Sequence, residues 1–292
     1  MTPGEPRNLD EVETRELRYF IAVAEESHVG RAATRLGMAQ PPLSRAIAQL
    51  ERRLGADLFV RTPRGVTLTS AGETLLLEGR AALAAVEAAE RRTRRTVEAN
   101  GRAPVVLTAK AGASSELMAK LLDAYAAEPG AVDVDVVLSP PGHQSLMLRD
   151  GRADVAILHR PFDDVSGFDV DTLTVEEQVL VLPAGHPTSA QDSMTVAEAG
   201  SIADLPLPRW PDLRGTYPAG PGPELRDLTQ VLQLVRLGRT AIMLPESATA
   251  GLHDGLAVVP VSDAPQVTTV IAWPPHSTSS GVAGLVRAAA RL

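Results

Sequence analysis

Leu17, Phe20, Ile21 and Ala24 recur at i, i+3, i+4 and i+7. That spacing places four apolar side chains on one stripe and predicts an amphipathic helix over residues 14–26. A second, short helix is expected over about 30–36, with Ala32, Ala33 and Leu36 facing inward and Gly37 closing it. A third is expected over 40–54, where Leu43, Ile47, Leu50 and Leu54 form the buried stripe. Gln40, Ser44, Arg45 and Arg52 fall largely off that stripe. Pro41 and Pro42 are tolerated because the first turn of a helix has no internal N–H bonds to lose. Two short helices joined by a tight turn are the arrangement that sets polar side chains into a DNA major groove.

Residues 58–69 then offer two short β-prone runs around Thr62-Pro63-Arg64-Gly65, a turn signal with Pro second and Gly fourth. This reads as a hairpin wing with Arg64 at its tip. Ser70-Ala71-Gly72-Glu73 fits a capping box that opens another helix. It continues for about 30 residues, or about 45 Å. Leu76, Leu83 and Val97 share one heptad position with Val86 on the same seam, although Glu90 and Thr93 interrupt it. Glu87 with Arg91, and Glu90 with Arg94, are favourable i, i+4 pairs. Two readings fit so long an apolar stripe: burial against a second copy of itself, or against the rest of its own chain.

From residue 105 onward strand-like and helix-like segments alternate, which argues an α/β arrangement. Strands are expected at 105–108, 132–138, 155–158, 179–182 and 241–244. Helices are expected near 115–127, 144–150, 223–238 and 279–292.

Charge changes the picture more than composition does. The net charge is −8 over 292 residues. Yet residues 27–68 hold seven Arg against only Glu51 and Asp57. A basic patch on an acidic protein is the electrostatic footprint of a nucleic-acid module joined to something else. An Arg-rich solvated surface fits the charge alone equally well. The chain has no cysteine, which excludes disulfides and thiolate metal sites and suits a cytoplasmic protein. No apolar run approaches the length needed to span a bilayer. The six histidines (28, 143, 159, 186, 253 and 276) lack metal-ligand spacing. No nucleophile elbow, P-loop or dinucleotide fingerprint occurs, so an enzyme is disfavoured and no cofactor is expected. A ligand-binding protein whose N-terminal helices only dimerise is the other rival; only DNA-groove binding should weaken steeply with salt.

Gln40, Ser44 and Arg45 carry the chemistry of base edges and phosphates: an amide for adenine, a hydroxyl for either, a guanidinium for guanine or phosphate. Singly, each is also an ordinary solvent-facing side chain. Together with Gly30-Arg31-Ala32-Ala33, Ala39-Gln40-Pro41-Pro42-Leu43-Ser44-Arg45-Ala46-Ile47, Leu58-Phe59, Arg61-Thr62 and Leu68-Thr69-Ser70-Ala71-Gly72, they resemble the N-terminal region of LysR-type transcriptional regulators over about residues 14–73. Arg149-Asp150-Gly151-Arg152-Ala153-Asp154, Val181-Leu182-Pro183-Ala184-Gly185-His186-Pro187 and Leu244-Pro245-Glu246-Ser247 resemble the effector domain of that family more loosely.

The resemblance implies an α+β multidomain protein with three parts. A winged helix-turn-helix would occupy 1–69, a linker and dimerisation helix 70–101, and a two-lobed, periplasmic-binding-protein-like effector domain 102–292. Lobe I would take 104–162 and 266–292, and lobe II 163–265. It implies binding to double-stranded promoter DNA, a homo-oligomer (dimer or tetramer), contact with RNA polymerase, and a small-molecule effector, an anion such as a carboxylate or aromatic acid. Carried over by position, Gln40, Pro41, Ser44 and Arg45 would contact DNA, with Arg31 and Arg64 on the backbone or minor groove. Two positions depart from the family pattern: Ala39 stands where a capping Ser is common, and His28-Val29-Gly30 where Ser-Phe-Thr is common.

Ligands in such folds sit beyond strand ends, where helix N-termini present free N–H groups. Ser114 and Ser115, after the first strand, are the leading effector candidates. Pro141 and His143 occupy the matching loop after the next strand, although Pro140-Pro141 replaces the Thr or Ser of many relatives. His159 and Arg160 end the third strand. Arg209 with Trp210 would supply a cation and an aromatic wall, and Thr240 opens a strand toward the cleft.

Overall fold

The computed structural model describes residues 12–99, 103–213, 215–249, 252 and 255–292. The chain divides into two compact units, Met1–Glu90 and Arg91–Leu292.

The first unit starts with α1 (Thr14–Glu26), α2 (Val29–Arg35) and α3 (Gln40–Leu54). The hairpin of β1 (Phe59–Thr62) and β2 (Gly65–Leu68) and the start of α4 (Ser70–Glu98) complete it. The expected stripes form its core: Phe20 and Val23 from α1, Ala32 and Ala33 from α2, and Leu43, Ile47 and Leu50 from α3. Phe20 and Phe59 meet in a tilted pair with ring centroids 5.2 Å apart. Three polar devices fix the geometry. The Glu51 carboxylate accepts the Leu58 and Phe59 N–H groups at 2.9 and 3.2 Å, tying α3 to the wing. Arg53 and Glu16 form a bidentate pair at 2.6 and 2.9 Å, joining α3 to α1. Gly65 lies so close to the end of α1 that a Cβ there would stand 2.2 Å from the Ser27 carbonyl oxygen. Val66 N–H donates to that same oxygen at 3.0 Å, so the wing is pinned to the turn between α1 and α2.

The capping box expected at Ser70 is corrected by one residue. The Thr69 hydroxyl, not that of Ser70, accepts the Gly72 N–H at 3.0 Å. Gly72 is required there because a Cβ would meet the Leu58 carbonyl oxygen at 2.2 Å. Of the expected heptad seam, Leu76 packs against the core of the first unit, whereas Val97 is 71% exposed.

The second unit carries β3 (Val105–Lys110), α5 (Ser115–Ala126), β4 (Val134–Ser139), α6 (His143–Arg149), β5 (Val155–Arg160), β6 (Asp169–Glu176) and β7 (Gln178–Pro183). It continues through α7 (Val196–Gly200), α8 (Leu228–Arg236), β8 (Ile242–Pro245), β9 (Leu256–Pro260), β10 (Val267–Trp273) and α9 (Ser280–Ala289). One sheet runs β4-β3-β5-β10-β6 and the other β8-β7-β9. Strands β3, β4 and β5 are parallel, and β10 returns antiparallel to β5 and β6. The near-continuous apolar runs of β3 and β5 are explained by burial on both faces. Val105, Leu107, Val155 and Ile157 face α5 and α9, while Val106, Ala156 and Leu158 face α6.

Two expectations are revised. The first lobe also takes in β6, so the chain leaves the first sheet at Glu177 rather than at 163. β6 carries polar residues at alternate positions on a sheet edge, which hides it from a search for apolar runs. The helix expected over 223–238 begins only at Leu228, where the Asp227 carboxylate accepts the Gln230 N–H at 2.9 Å.

Candidate DNA-reading surface and ligand cleft

Gln40, Pro41, Ser44 and Arg45 occupy the first two turns of α3. The buried stripe of α3 points the other way, which leaves Gln40, Pro41 and Arg45 exposed and Ser44 half-buried. Ala39 makes no side-chain cap, and the prolines behind it take the place of two N–H donors. The α2 terminus is solved differently. His28 Nδ1 accepts the Gly30 and Arg31 N–H groups at 3.1 and 3.3 Å, so this imidazole caps the helix. Gly30 makes room for it: a Cβ there would stand 3.1 Å from the ring and 3.3 Å from Gln40 Oε1. Arg31 donates to the Glu26 carbonyl and lies 3.5 Å from its carboxylate. Arg64 is exposed in the two-residue loop of the wing, beyond the paired Thr62 and Gly65. Glu25 receives Arg35 at 2.8 Å and Arg80 at 2.7 Å, so α2 and α4 are held on one carboxylate.

In the second unit a cleft of about 670 Å³ lies between the two sheets, within the size range of small-molecule sites. Of the expected effector residues, Ser114, Pro141, His159 and Trp210 line it. Ser114 takes a left-handed conformation (φ 54°) at the start of α5. Its hydroxyl lies 2.9 Å from His159 Nε2 rather than capping the helix.

The remaining candidates stand elsewhere. Ser115 is exposed and outside the cleft lining. His143 sits with Nδ1 3.2 Å from the Pro141 carbonyl of its own turn. Arg160 lines an adjoining, more open pocket that shares Phe162 and Asp163 with the cleft. Arg209 is spent on its own loop, donating to Gly222 and Pro218 carbonyls at 2.7 and 2.8 Å and pairing with Glu224. Thr240 is fully buried, and its hydroxyl donates to the Pro206 carbonyl at 2.6 Å.

The polar centre of the cleft lies in residues not singled out beforehand. Lys110 Nζ pairs with Asp163 Oδ2 at 2.7 Å. That same oxygen accepts the His159 N–H at 2.7 Å. Burial pushes the Asp163 carboxyl up, but His159 and the Lys110 ammonium outweigh it and hold the carboxyl below the usual range. Ser114, His159 and Asp163 have the residue types of a hydrolytic triad without its geometry. His159 Nδ1 is 3.7 Å from Asp163 and makes no hydrogen bond, so the carboxylate does not orient the ring. Lys110 was detectable as one of only two lysines, placed at a strand end. Asp163 carried no such signal.

A winged helix-turn-helix joined by a long helix to a two-sheet domain with a cleft between its sheets defines a ligand-responsive DNA-binding regulator. Residues 14–73 match the model of the bacterial regulatory helix-turn-helix protein, lysR family, and residues 98–291 match that of the LysR substrate binding domain. The chain belongs to the LysR family of transcriptional regulators, and it is not an enzyme. It is 33% identical over 249 residues to the HTH-type transcriptional regulator AlsR of Bacillus subtilis, covering 81% of this chain and 82% of that one. It is 29% identical over 290 residues to the regulator IlvR of Caulobacter vibrioides, covering 94% and 97%. The oxidised form of OxyR from Corynebacterium glutamicum superposes with a TM-score of 0.52 at 26% identity, covering 100% of this chain and 93% of that one. The LysR-family regulator CbnR has the same fold, with a TM-score of 0.54 at 22% identity over 96% and 99% of the two chains.

Proposed function

We propose that this regulator reads promoter DNA through Gln40, Pro41, Ser44 and Arg45 on α3, with Arg31 and Arg64 contacting phosphates or the minor groove. The observation that carries this reading is the outward row on the first two turns of α3, opposite a fully apolar inner face. The ordered wing beside it supports a second point of contact for Arg64. The half-buried Ser44 suits a close contact, whereas the exposed Arg45 suits a reach to a base or phosphate.

The effector site is the cleft lined by Ser114, Pro141, His159 and Trp210, with Lys110 and Asp163 at its centre. Occupying it alters how two copies of the chain are spaced on DNA and so whether RNA polymerase is engaged. Leu77 and Val97 on α4, each 71% exposed, favour pairing of that helix with a second copy. A cytoplasmic protein accords with DNA as the target, and no helix among the described residues is long and apolar enough to cross a membrane.

A gel shift with the full chain on the DNA upstream of its own gene, at rising salt, tests the proposal. A groove binder loses affinity steeply, because each neutralised phosphate releases counterions. A shift that ignores salt, or none at low salt, would remove the DNA-reading assignment.

A further inference from the structure

Among the described residues that line the cleft, Lys110 is the one lysine or arginine. Asp163, whose side chain is 2% exposed, already holds it at 2.7 Å. Among those described residues an incoming anion finds no second positive side chain and must compete with a buried carboxylate for Lys110. Glu176 lines the same cleft. Its Oε1 accepts the Ser247 N–H at 2.9 Å and its Oε2 the Thr174 hydroxyl at 3.1 Å. Both donors are uncharged, so the negative charge stands, and each oxygen retains a lone pair for a further donor.

The apolar part of the lining points the same way. Phe162 and Leu213 are 60% and 55% exposed although they are large hydrophobic side chains, and both line the cleft, as does Trp210. Aromatic rings present negative faces, which attract a cation and gain nothing from an anion. The Glu176 carboxylate and the aromatic side chains give the described lining a preference for a cation on an apolar body.

We propose that the cleft selects a ligand carrying a protonated amine on an apolar body, with the ammonium held by Glu176 and the body laid against Trp210 and Phe162. This replaces the anionic effector that the family resemblance implies, and it rests on the cleft being the effector site. Ser114 serves as a neutral hydrogen-bonding partner for the far end of the ligand, since a hydroxyl donates or accepts.

The test uses the full chain with three probes of similar shape: phenethylamine, phenylpropionate and phenethyl alcohol. Thermal unfolding and titration calorimetry are read for each. The amine is expected to bind about tenfold or more tightly than the other two. Glu176→Gln should remove that preference, and a Gln amide oxygen can still accept the Ser247 N–H, so the fold is retained. Trp210→Leu should weaken the amine while leaving the order of the other two unchanged. Absence of an amine preference, or a preference that survives Glu176→Gln, overturns the proposal. A carboxylate that binds tightest and is lost in Ser114→Ala overturns the amine while keeping the cleft as the ligand site. Binding that no cleft substitution disturbs would remove the cleft assignment itself.

Discussion

The two units place their chemistry in opposite ways. In the first, four of the side chains proposed to act lie on the first two turns of one regular helix, turned away from the core by the helix's own periodicity. In the second, the lining comes from the end of β3, the turn before α5, the end of β5, the end of β6, the loop around Trp210, β8 with the turn after it, and the start of β10. Its polar centre is almost fully buried. The first arrangement needs only local sequence to be set up, because a helix with one apolar stripe necessarily presents the other face. The second needs the whole topology before any two of its groups meet. The two units should therefore respond differently to substitution, with binding lost cheaply in the first and stability lost with function in the second.

The largest stability effect is expected in the cleft. Lys110→Met leaves Asp163 buried without its cation and should cost about 3 kcal/mol. Hydrogen exchange should rise in β3 and β5 while α1 and α3 keep their protection. Unchanged exchange in β3 would mean that the pair contributes little and that the contrast between the units is overstated.

Next comes the link between α1 and α3. Both Glu16 and Arg53 side chains are 12% exposed, and Arg53→Met should cost about 2 kcal/mol. The pH dependence follows from the Glu16 carboxyl. Burial raises its pKa, but Arg53 and the Glu13 N–H outweigh burial and hold it below the usual value. A lowered folded-state pKa gives stability that is full above the unfolded value near 4 and is lost as pH falls through the folded one. Asp163 acts with the same sign in the second unit. Acid titration of wild type should therefore destabilise both units, and Arg53→Met should flatten the acid limb of the first alone.

Smaller effects separate structural from functional histidines. His28→Ala removes the cap of α2 and should cost about 1 kcal/mol, seen as a melting temperature lower by a few degrees. His28→Asn should restore most of it, because Asn is itself a good cap. If Asn rescues nothing, the ring acts by some route other than capping. Smallest is Ser114→Ala, which removes one neutral hydrogen bond to His159 and should weaken ligand binding about fivefold. Calorimetry on the full chain with tyramine, whose phenol supplies the polar far end that phenethylamine lacks, measures it directly.

The same division governs what could be read in advance. The bounds of α1 and α3 follow from apolar spacing and match residue for residue, and the wing follows from Pro63 and Gly65. The cap of α4 was misplaced because Thr69 and Ser70 are chemically equivalent candidates, and only the carbonyl contact at Gly72 decides between them. In the cleft, Ser114 was legible because it lies in the loop that follows a strand and opens a helix. Arg209 and Thr240 were misread because their residue types suit a ligand equally well, yet loop carbonyls satisfy both internally. Asp163 and Glu176 were missed because, beside the near partners His159 and Thr174, each is held by a group far away in sequence: Lys110 for the first and Ser247 for the second.

The most direct test concerns the outward row of α3. Footprinting of wild type and of the Ser44→Ala, Arg45→Ala double variant on the DNA upstream of the gene should show a protected site for the first. The second should show only diffuse, salt-sensitive binding, a loss of about 100-fold in specific affinity, with the oligomeric state unchanged. An identical footprint from the double variant would contradict the assignment of α3 as the reading helix.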